Sequence, residues 1–331
     1  MLQYIARRVF VAIPLLFVIS LISYLVIELP PGNYLEQYIA QFEMTSGERL
    51  TEAEIAQLRA LYHLDRPLYA RYIRWITNVL QGNLGRSFQH NRPVSELLAE
   101  RVPLTLTITL FALLFSWAVA IPIGIFSAVR QYSLFDYLFT TLGFIGLATP
   151  SFLLALVVMW IAFSRFGFSA SGLFSSEFID APWSAAKVLD LMKHLPIPAL
   201  IIGIGGTSWL IRIMRGNLLD ELRKPYVTTS RAKGLKETRL LLKYPVRIAI
   251  NPLISTIGWT LPQLFSGSTL VAIVLNLQTV GPVLFNALLS QDMYVAGSIL
   301  LILSTLTVIG TLISDILLAW IDPRIRFGGA G

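Results

Sequence analysis

"TTSRAKGLKETRLLLKYPVR", residues 228–247, is a basic stretch patterned like a helix, set between two runs apolar enough to cross a bilayer. Its charge decides how the rest of the chain is threaded. Of 331 residues, 55% are hydrophobic and 14% charged, and the mean hydropathy is +0.67. A soluble domain carries about a quarter charged residues, so this composition is that of a membrane protein. Uncharged runs cover Val9–Ile27, Leu104–Val129, Tyr137–Ser164, Leu195–Ile211, Ile248–Gln291 and Met293–Ser314. A spanning helix needs roughly 20 apolar residues. Ile248–Gln291 is too long for one span and must hold a helix plus a buried loop or short helix. Six transmembrane helices are expected. The first follows Arg7 and Arg8 but no small-residue cleavage site follows it, and Pro30, Pro31 and Gly32 stop it. It reads as an uncleaved span rather than a signal peptide.

Lys and Arg mark the cytoplasmic flanks of spans. Between Arg212 and Arg247 stand ten basic residues against Asp220, Glu221 and Glu237, a local excess of seven that equals the net charge of the whole chain, +7. Residues 30–102 hold eight acidic and eight basic residues, with no such bias. The expected topology has both termini inside and the segments 30–102, 165–194 and 276–292 outside. Arg130 and the loop 212–247 lie inside, as does the tail "DPRIRFGGAG". Two or three basic residues would enforce that topology. Ten in a helical pattern point instead to a docking surface for a cytoplasmic protein. Lipid headgroups are the weaker alternative, and nucleic acid is set aside because only Tyr226 and Tyr244 interleave the charges.

What the sequence lacks narrows the chemistry. It has no G-x-x-x-x-G-K-[ST], no H-E-x-x-H and no cysteine, and His63, His90 and His194 are scattered. "GFSASG" at 167–172 does not fit the serine elbow and reads as a loop. An enzyme, a bound cofactor and a metal are therefore not expected. Only Glu28 and Asp315 lie near the spans, both at their ends, so an ion-driven carrier lacks the buried carboxylates that relay protons. The many glycines in the runs suit close helix packing, and Pro122, Pro150 and Pro262 are candidate kinks.

The loop itself reads as helix, tight turn, helix. Pro225 suits a helix start, Tyr226 to Lys233 makes about two turns, and Gly234 can end the helix in a left-handed conformation. Leu235 and Leu240–Leu242 give a second helix its apolar side. Pro252 opens the next span. In the outer segment, Thr51–Leu61 and Leu68–Leu80 are helical, with Tyr69, Tyr72, Ile73, Ile76 and Leu80 at helical spacing and expected to pack on the membrane core.

This order of pieces resembles the binding-protein-dependent ATP-binding-cassette permeases, and more narrowly the first permease of dipeptide and oligopeptide importers. The resemblance covers the whole chain. It rests on "MLQYIARRVFVAIPLLFVISLISYLVI" with "PPGN", "YHLDRPLYARYIRWITNVLQGNLGRSF", "RPVSELLAERVPLTLTITL", "YVTTSRAKGL" and "LLAWIDPRIRF". It implies an all-α integral membrane protein with the type I importer (MetI-like) permease fold. Its parts would be an N-terminal span (1–29), an extracytoplasmic helical segment (30–102), a five-helix core (103–322) and a cytoplasmic tail (323–331). It further implies a transport subunit in a prokaryotic plasma or inner membrane. The implied partners are a second homologous permease, cytoplasmic ATPase subunits that bind ATP and Mg, and an extracytoplasmic solute-binding protein.

In such permeases the loop carries a coupling helix seated on the ATPase. Here that role falls to Tyr226, Thr228, Thr229, Ser230, Arg231, Ala232, Lys233, Gly234 and Leu235, with Arg231 and Lys233 as contacts to acidic groups. Thr228–Ser230 replace the Glu-Ala-Ala of many relatives. A second departure lies at "VLNLQTVGP", where the subfamily's acidic residue and "PGLG" turn are absent. Asn276 and Gln278 there face the expected outer mouth, and their neutral amides suit sugar hydroxyls. The implied solute is a di- or oligopeptide, with an oligosaccharide as the alternative. An autonomous channel or carrier and a membrane anchor are the competing classes.

Overall fold

The computed structural model describes residues 2–28, 35–36, 39, 42–44, 49–61, 66–257 and 268–321. Among them the regular structure is helical, apart from one isolated bridge between Arg86 and Pro93. The long helices are α1 (Leu2–Glu28), α4 (Val94–Val129) and α8 (Pro196–Leu222). Shorter ones in the outer segment are α2 (Glu52–Leu61) and α3 (Leu68–Leu80). After α4 come α5 (Leu134–Ala148), α6 (Ser151–Phe166) and α7 (Ala185–His194). Beyond α8 lie α9 (Pro225–Ala232), α10 (Glu237–Lys243), α11 (Pro245–Ala249) and α12 (Asn251–Ser255). Residues 268–274 are helical too, and α13 (Val280–Leu289) and α14 (Met293–Ile321) close the chain.

Among the described residues, α1, α4, α8 and α14 are each long and apolar enough to span, and the pair α5–α6 makes a fifth candidate. That pair occupies the span expected over Tyr137–Ser164, with the candidate kink at Pro150 becoming a full break between two helices. It bends by 105° because Pro150 forces Thr149 out of the α region, to φ −85°, ψ 120°. The remaining expected span, 248–291, begins with α11 and α12 and runs through residues outside the described ones, as does Pro262. Pro122 does not divide α4. Thr51–Leu61 and Leu68–Leu80 become α2 and α3, and Thr51 and Glu54 close a capping box at the first of these.

Contacts divide the chain into two compact units. One comprises Met1–Arg8, Leu104–Gln278 and Thr307–Gly331. There α4 and α8 approach closely: the Ser116 hydroxyl donates to the Gly203 carbonyl at 3.0 Å. A Cβ on Gly124 would come within 2.7 Å of Met214. Small residues at such crossings are what membrane helices use in place of a hydrophobic driving force. Phe135, Leu138 and Phe144 of α5, and Phe152, Leu156 and Trp160 of α6, stay exposed. A water-facing surface would not tolerate so large an apolar area; a lipid-facing one requires it.

The other unit comprises Val9–Pro103 and Thr279–Leu306. Its centre is the fully buried Asp292, which accepts from the Ser87 hydroxyl at 2.6 Å and the Gln89 amide at 3.1 Å, and caps α14 through the Val295 amide. Nearby, Tyr24 of α1 meets Tyr72 of α3 edge to face and Trp75 at a tilt, and Glu28 pairs with Arg71 at 2.8 Å. The buried stripe of α3 is thus Tyr72, Trp75, Ile76 and Val79. The expectation had placed Tyr69, Ile73 and Leu80 there as well, but these are exposed. Two apolar stripes run along this helix, and spacing alone does not say which one turns inward.

Gly85 gives a direct stability prediction in this unit. Its φ is +85°, and a Cβ would stand 2.6 Å from Tyr294 Cδ1. Gly85→Ala is expected to cost about 3 kcal/mol through strain and overpacking together. Gly82→Ala, at φ +81° with open space around it, is expected to cost about 1 kcal/mol. Thermal unfolding of the two variants side by side checks the difference.

Candidate functional site

The loop after α8 is built on a short, well-anchored frame. Glu221, in the last turn of α8, is buried. Its carboxylate accepts from the Tyr226 hydroxyl at 2.7 Å and pairs with the Lys224 ammonium. Burial, followed by that bond to Glu221, pushes the Tyr226 phenol above its ordinary pKa. Pro225 occupies the first turn of α9, where its fixed φ and missing N–H cost nothing. Val227 is fully buried and holds the helix down. Thr229 and Ser230 return their hydroxyl protons to the carbonyls of Pro225 and Tyr226, four residues back.

The helix ends as the sequence suggests. The Lys233 amide bonds to the Thr229 carbonyl, and Gly234 takes φ +77°. The chain then turns into α10, and Arg231 reaches across to Glu237 with Nε–Oε2 at 3.0 Å and Nη2–Oε1 at 2.6 Å. Leu240 is fully buried. Beyond α10, Val246, Ala249 and Leu253 pack in one cluster with Leu210, Met214 and Leu218 of α8. The loop therefore returns along the helix it left.

Each expected loop residue has a definite place. Thr228, Thr229, Arg231, Ala232, Lys233 and Gly234 form one exposed rim on α9 and its turn. Tyr226, Ser230 and Leu235 are half-buried beneath it. Arg231 departs from the expectation: its fork is occupied by Glu237, so Lys233 is the cation this rim offers outward. The charge tally is also redistributed. Arg212 and Arg215 belong to α8, and Arg215, Lys224 and Arg231 are each paired within the chain.

Hydrogen bonding to Arg231 lowers the Glu237 pKa below the ordinary glutamate value. The ion pair thus contributes stability that is fully present above that ordinary value. The contribution is lost as the pH falls through the depressed one. Both side chains are about half exposed, so the effect is local. Amide exchange at Lys233 and Gly234, corrected for intrinsic rates, is expected to quicken on acidification, and Glu237→Gln removes that response.

Asn276 and Gln278 are not part of this surface. Asn276, at φ +51°, sits just past the helical residues 268–274. Its amide bonds to the Ile273 carbonyl and that of Leu277 to the Ala272 carbonyl. This is a Schellman closure, in which asparagine is the usual substitute for glycine. Its identity is explained by the backbone without a ligand. Gln278 is half-buried.

Two residues that sequence reasoning passed over matter more. Glu221 was counted only as a subtraction from the loop's charge. Asp136, at the start of α5, is 2% exposed and takes a two-pronged bond from Arg215, with Nε–Oδ1 and Nη2–Oδ2 both 2.9 Å. Ser133 caps that helix by accepting from the Asp136 amide. The pattern Ser133-x-x-Asp136 was the available signal for a helix start.

Comparison with known proteins agrees with this frame. Residues 120–327 match the family described as binding-protein-dependent transport system inner membrane component. Residues 1–109 match the N-terminal membrane component of the same systems. The chain is 32% identical over 328 residues to the oligopeptide transport system permease protein AppB of Bacillus subtilis, covering 99% of this chain and 100% of that one. It is 29% identical over 343 residues to the dipeptide transport system permease protein DppB of Escherichia coli K12, covering 98% and 99%. A solved structure of the MetNI methionine ABC transporter in an inward-facing form matches with TM-score 0.53 and 17% identity, over 69% of this chain and 97% of that one. That likeness gives the fold alone. With both halves matched and full-length relatives above 30% identity, this chain belongs to the family of inner membrane components of binding-protein-dependent transport systems.

Proposed function

We propose that this chain is one permease subunit of an ATP-driven importer of di- and oligopeptides, with the α9 rim as the seat for a cytoplasmic ATPase subunit. The observation that carries the reading is the attachment of that rim. Glu221, Val227 and Leu240 are buried anchors, and the α10–α12 return packs along α8. A displacement of α9 is therefore delivered to a membrane helix rather than absorbed by a loose loop. Interiors packed this way transmit strain.

In this reading ATP and Mg bind to the partner, and this chain holds no nucleotide. A second homologous permease completes the pathway, and an extracytoplasmic solute-binding protein delivers the solute. Both termini are taken to be cytoplasmic, a reading supported by the basic residues around α9, since inner loops carry the excess of Lys and Arg. Peptide is preferred to oligosaccharide because the relatives are named for peptide transport. The left-handed backbone of Asn276 at a helix end gives that residue type a reason other than sugar binding.

The test is reconstitution of this chain with its sibling permease, ATPase subunits and binding protein in liposomes. Uptake of a labelled tripeptide is expected only with ATP present. Uptake without an ATPase subunit, or of a trisaccharide in place of the peptide, overturns the reading.

A further inference from the structure

Between α5 and α8 lies a cleft of about 190 Å³ lined by Phe139, Thr140, Gly143, Phe144, Leu147, Ser208, Ile211, Arg212 and Arg215. Its polarity is graded along the helices. Asp136 at the start of α5 is bonded to Arg215 of α8, so the two helices are pinned together at one end of the cleft. From that end Phe139, Phe144 and Leu147 run along α5 for about 12 Å at 1.5 Å per residue. Arg212 sits at the same end. The uncharged part of α8 stops at Ile211, and Arg212, Arg215, Asp220 and Glu221 follow within its last three turns. Arg212 therefore stands where α8 leaves the hydrocarbon.

The charges there do not cancel. Arg215 is taken by Asp136, whereas Arg212 is exposed and has no ion-pair partner among the described residues. The cleft thus offers one unmatched guanidinium at headgroup level and an apolar slot leading inward from it. That shape fits an anion with a hydrocarbon tail and neither a free anion nor a neutral hydrophobe.

We propose that this cleft is a binding site for an anionic phospholipid, its phosphate on Arg212 and one acyl chain against Phe139, Phe144 and Leu147. Basic pockets between transmembrane helices hold such headgroups, and a guanidinium fork matches phosphate oxygens. Gly143 keeps the slot open: a Cβ there meets only Ser208, at an ordinary 3.8 Å, and a longer side chain projects into the lipid's place. The inference uses the membrane setting of the family and not the identity of the transported solute.

The experiment is native mass spectrometry of the assembled importer, taken from nanodiscs of equimolar phosphatidylglycerol and phosphatidylcholine. The wild type is expected to retain phosphatidylglycerol in preference, by about fivefold, the factor set by one basic residue at the surface. Arg212→Gln is expected to erase the preference, and Gly143→Leu to lower retention of both lipids. Arg165→Gln, which removes an exposed charge outside the cleft, leaves retention unchanged. Equal retention of the two lipids by the wild type overturns the proposal. So does undiminished phosphatidylglycerol in Arg212→Gln, or an assembly that retains no lipid because another subunit fills the cleft. Displacement by excess inorganic phosphate as readily as by added phosphatidylglycerol assigns an anion site without a lipid, and also overturns it.

Discussion

Gly234→Val is expected to leave membrane insertion intact while cutting ATP-driven uptake by about tenfold or more. The glycine stands at φ +77°, and a Cβ there would meet nothing within 4 Å. The effect therefore comes wholly from the backbone. A β-branched residue held in the left-handed region costs about 2 kcal/mol, and the turn has a cheaper way out. It can abandon the conformation, which breaks the Arg231–Glu237 pair across it and re-aims the exposed rim of α9. Neither Val227 nor Leu240 is touched, so the chain still folds. Gly234→Asn is the control, because asparagine visits this region readily, and its uptake should stay near wild type. Copurification of the ATPase subunit and uptake must be read in parallel. Wild-type values of both in Gly234→Val would sink the proposed role of α9.

How far the sequence spoke depended on the kind of signal. Helix ends marked by a backbone requirement were legible: Pro225 opening α9, Gly234 ending it, and Leu68–Leu80 as a whole. Those rules act within a few residues and need no knowledge of neighbours. The inward stripe of α3 was not legible, because Tyr69, Ile73 and Leu80 repeat as regularly as Tyr72, Trp75 and Val79. The tie is broken by Tyr24, some fifty residues away, and by Met293 and Tyr294, some two hundred away. Charge was the least legible. Ten cations in one tally look like a uniform patch, yet Asp136, Glu221 and Glu237 remove three of them by contacts of very different range. Asn276 shows the converse: an unusual residue beside an expected mouth invited a ligand, and its left-handed backbone offers a local reason for the same residue type. The candidate residues do form one contiguous stretch, α9 and the turn after it. Their division into exposed rim and buried anchor came only from the fold.

The same distinction between ranges gives the other large effect. Asp136→Ala is expected to destabilise the protein by about 3 kcal/mol, because it strands the Arg215 guanidinium in a partly buried setting. Glu237→Ala removes an ion pair of similar geometry, but at side chains about half exposed, and is expected to cost under about 1 kcal/mol. Geometry alone would rank the two alike; burial separates them. Asp136 also accepts from the Tyr132 amide at 2.9 Å, where Tyr132 is held at φ +64° between α4 and α5. Its loss could therefore act through that turn rather than through Arg215. Asp136→Ala combined with Arg215→Met decides between them. If the stranded charge is the cause, the double variant recovers most of the loss, since an apolar replacement for a buried pair is often neutral. If the turn is the cause, it unfolds as early as the single variant. Thermal unfolding of the three variants in one detergent is expected to show recovery. The two-pronged bond to Arg215 satisfies both carboxylate oxygens, whereas the turn engages only one.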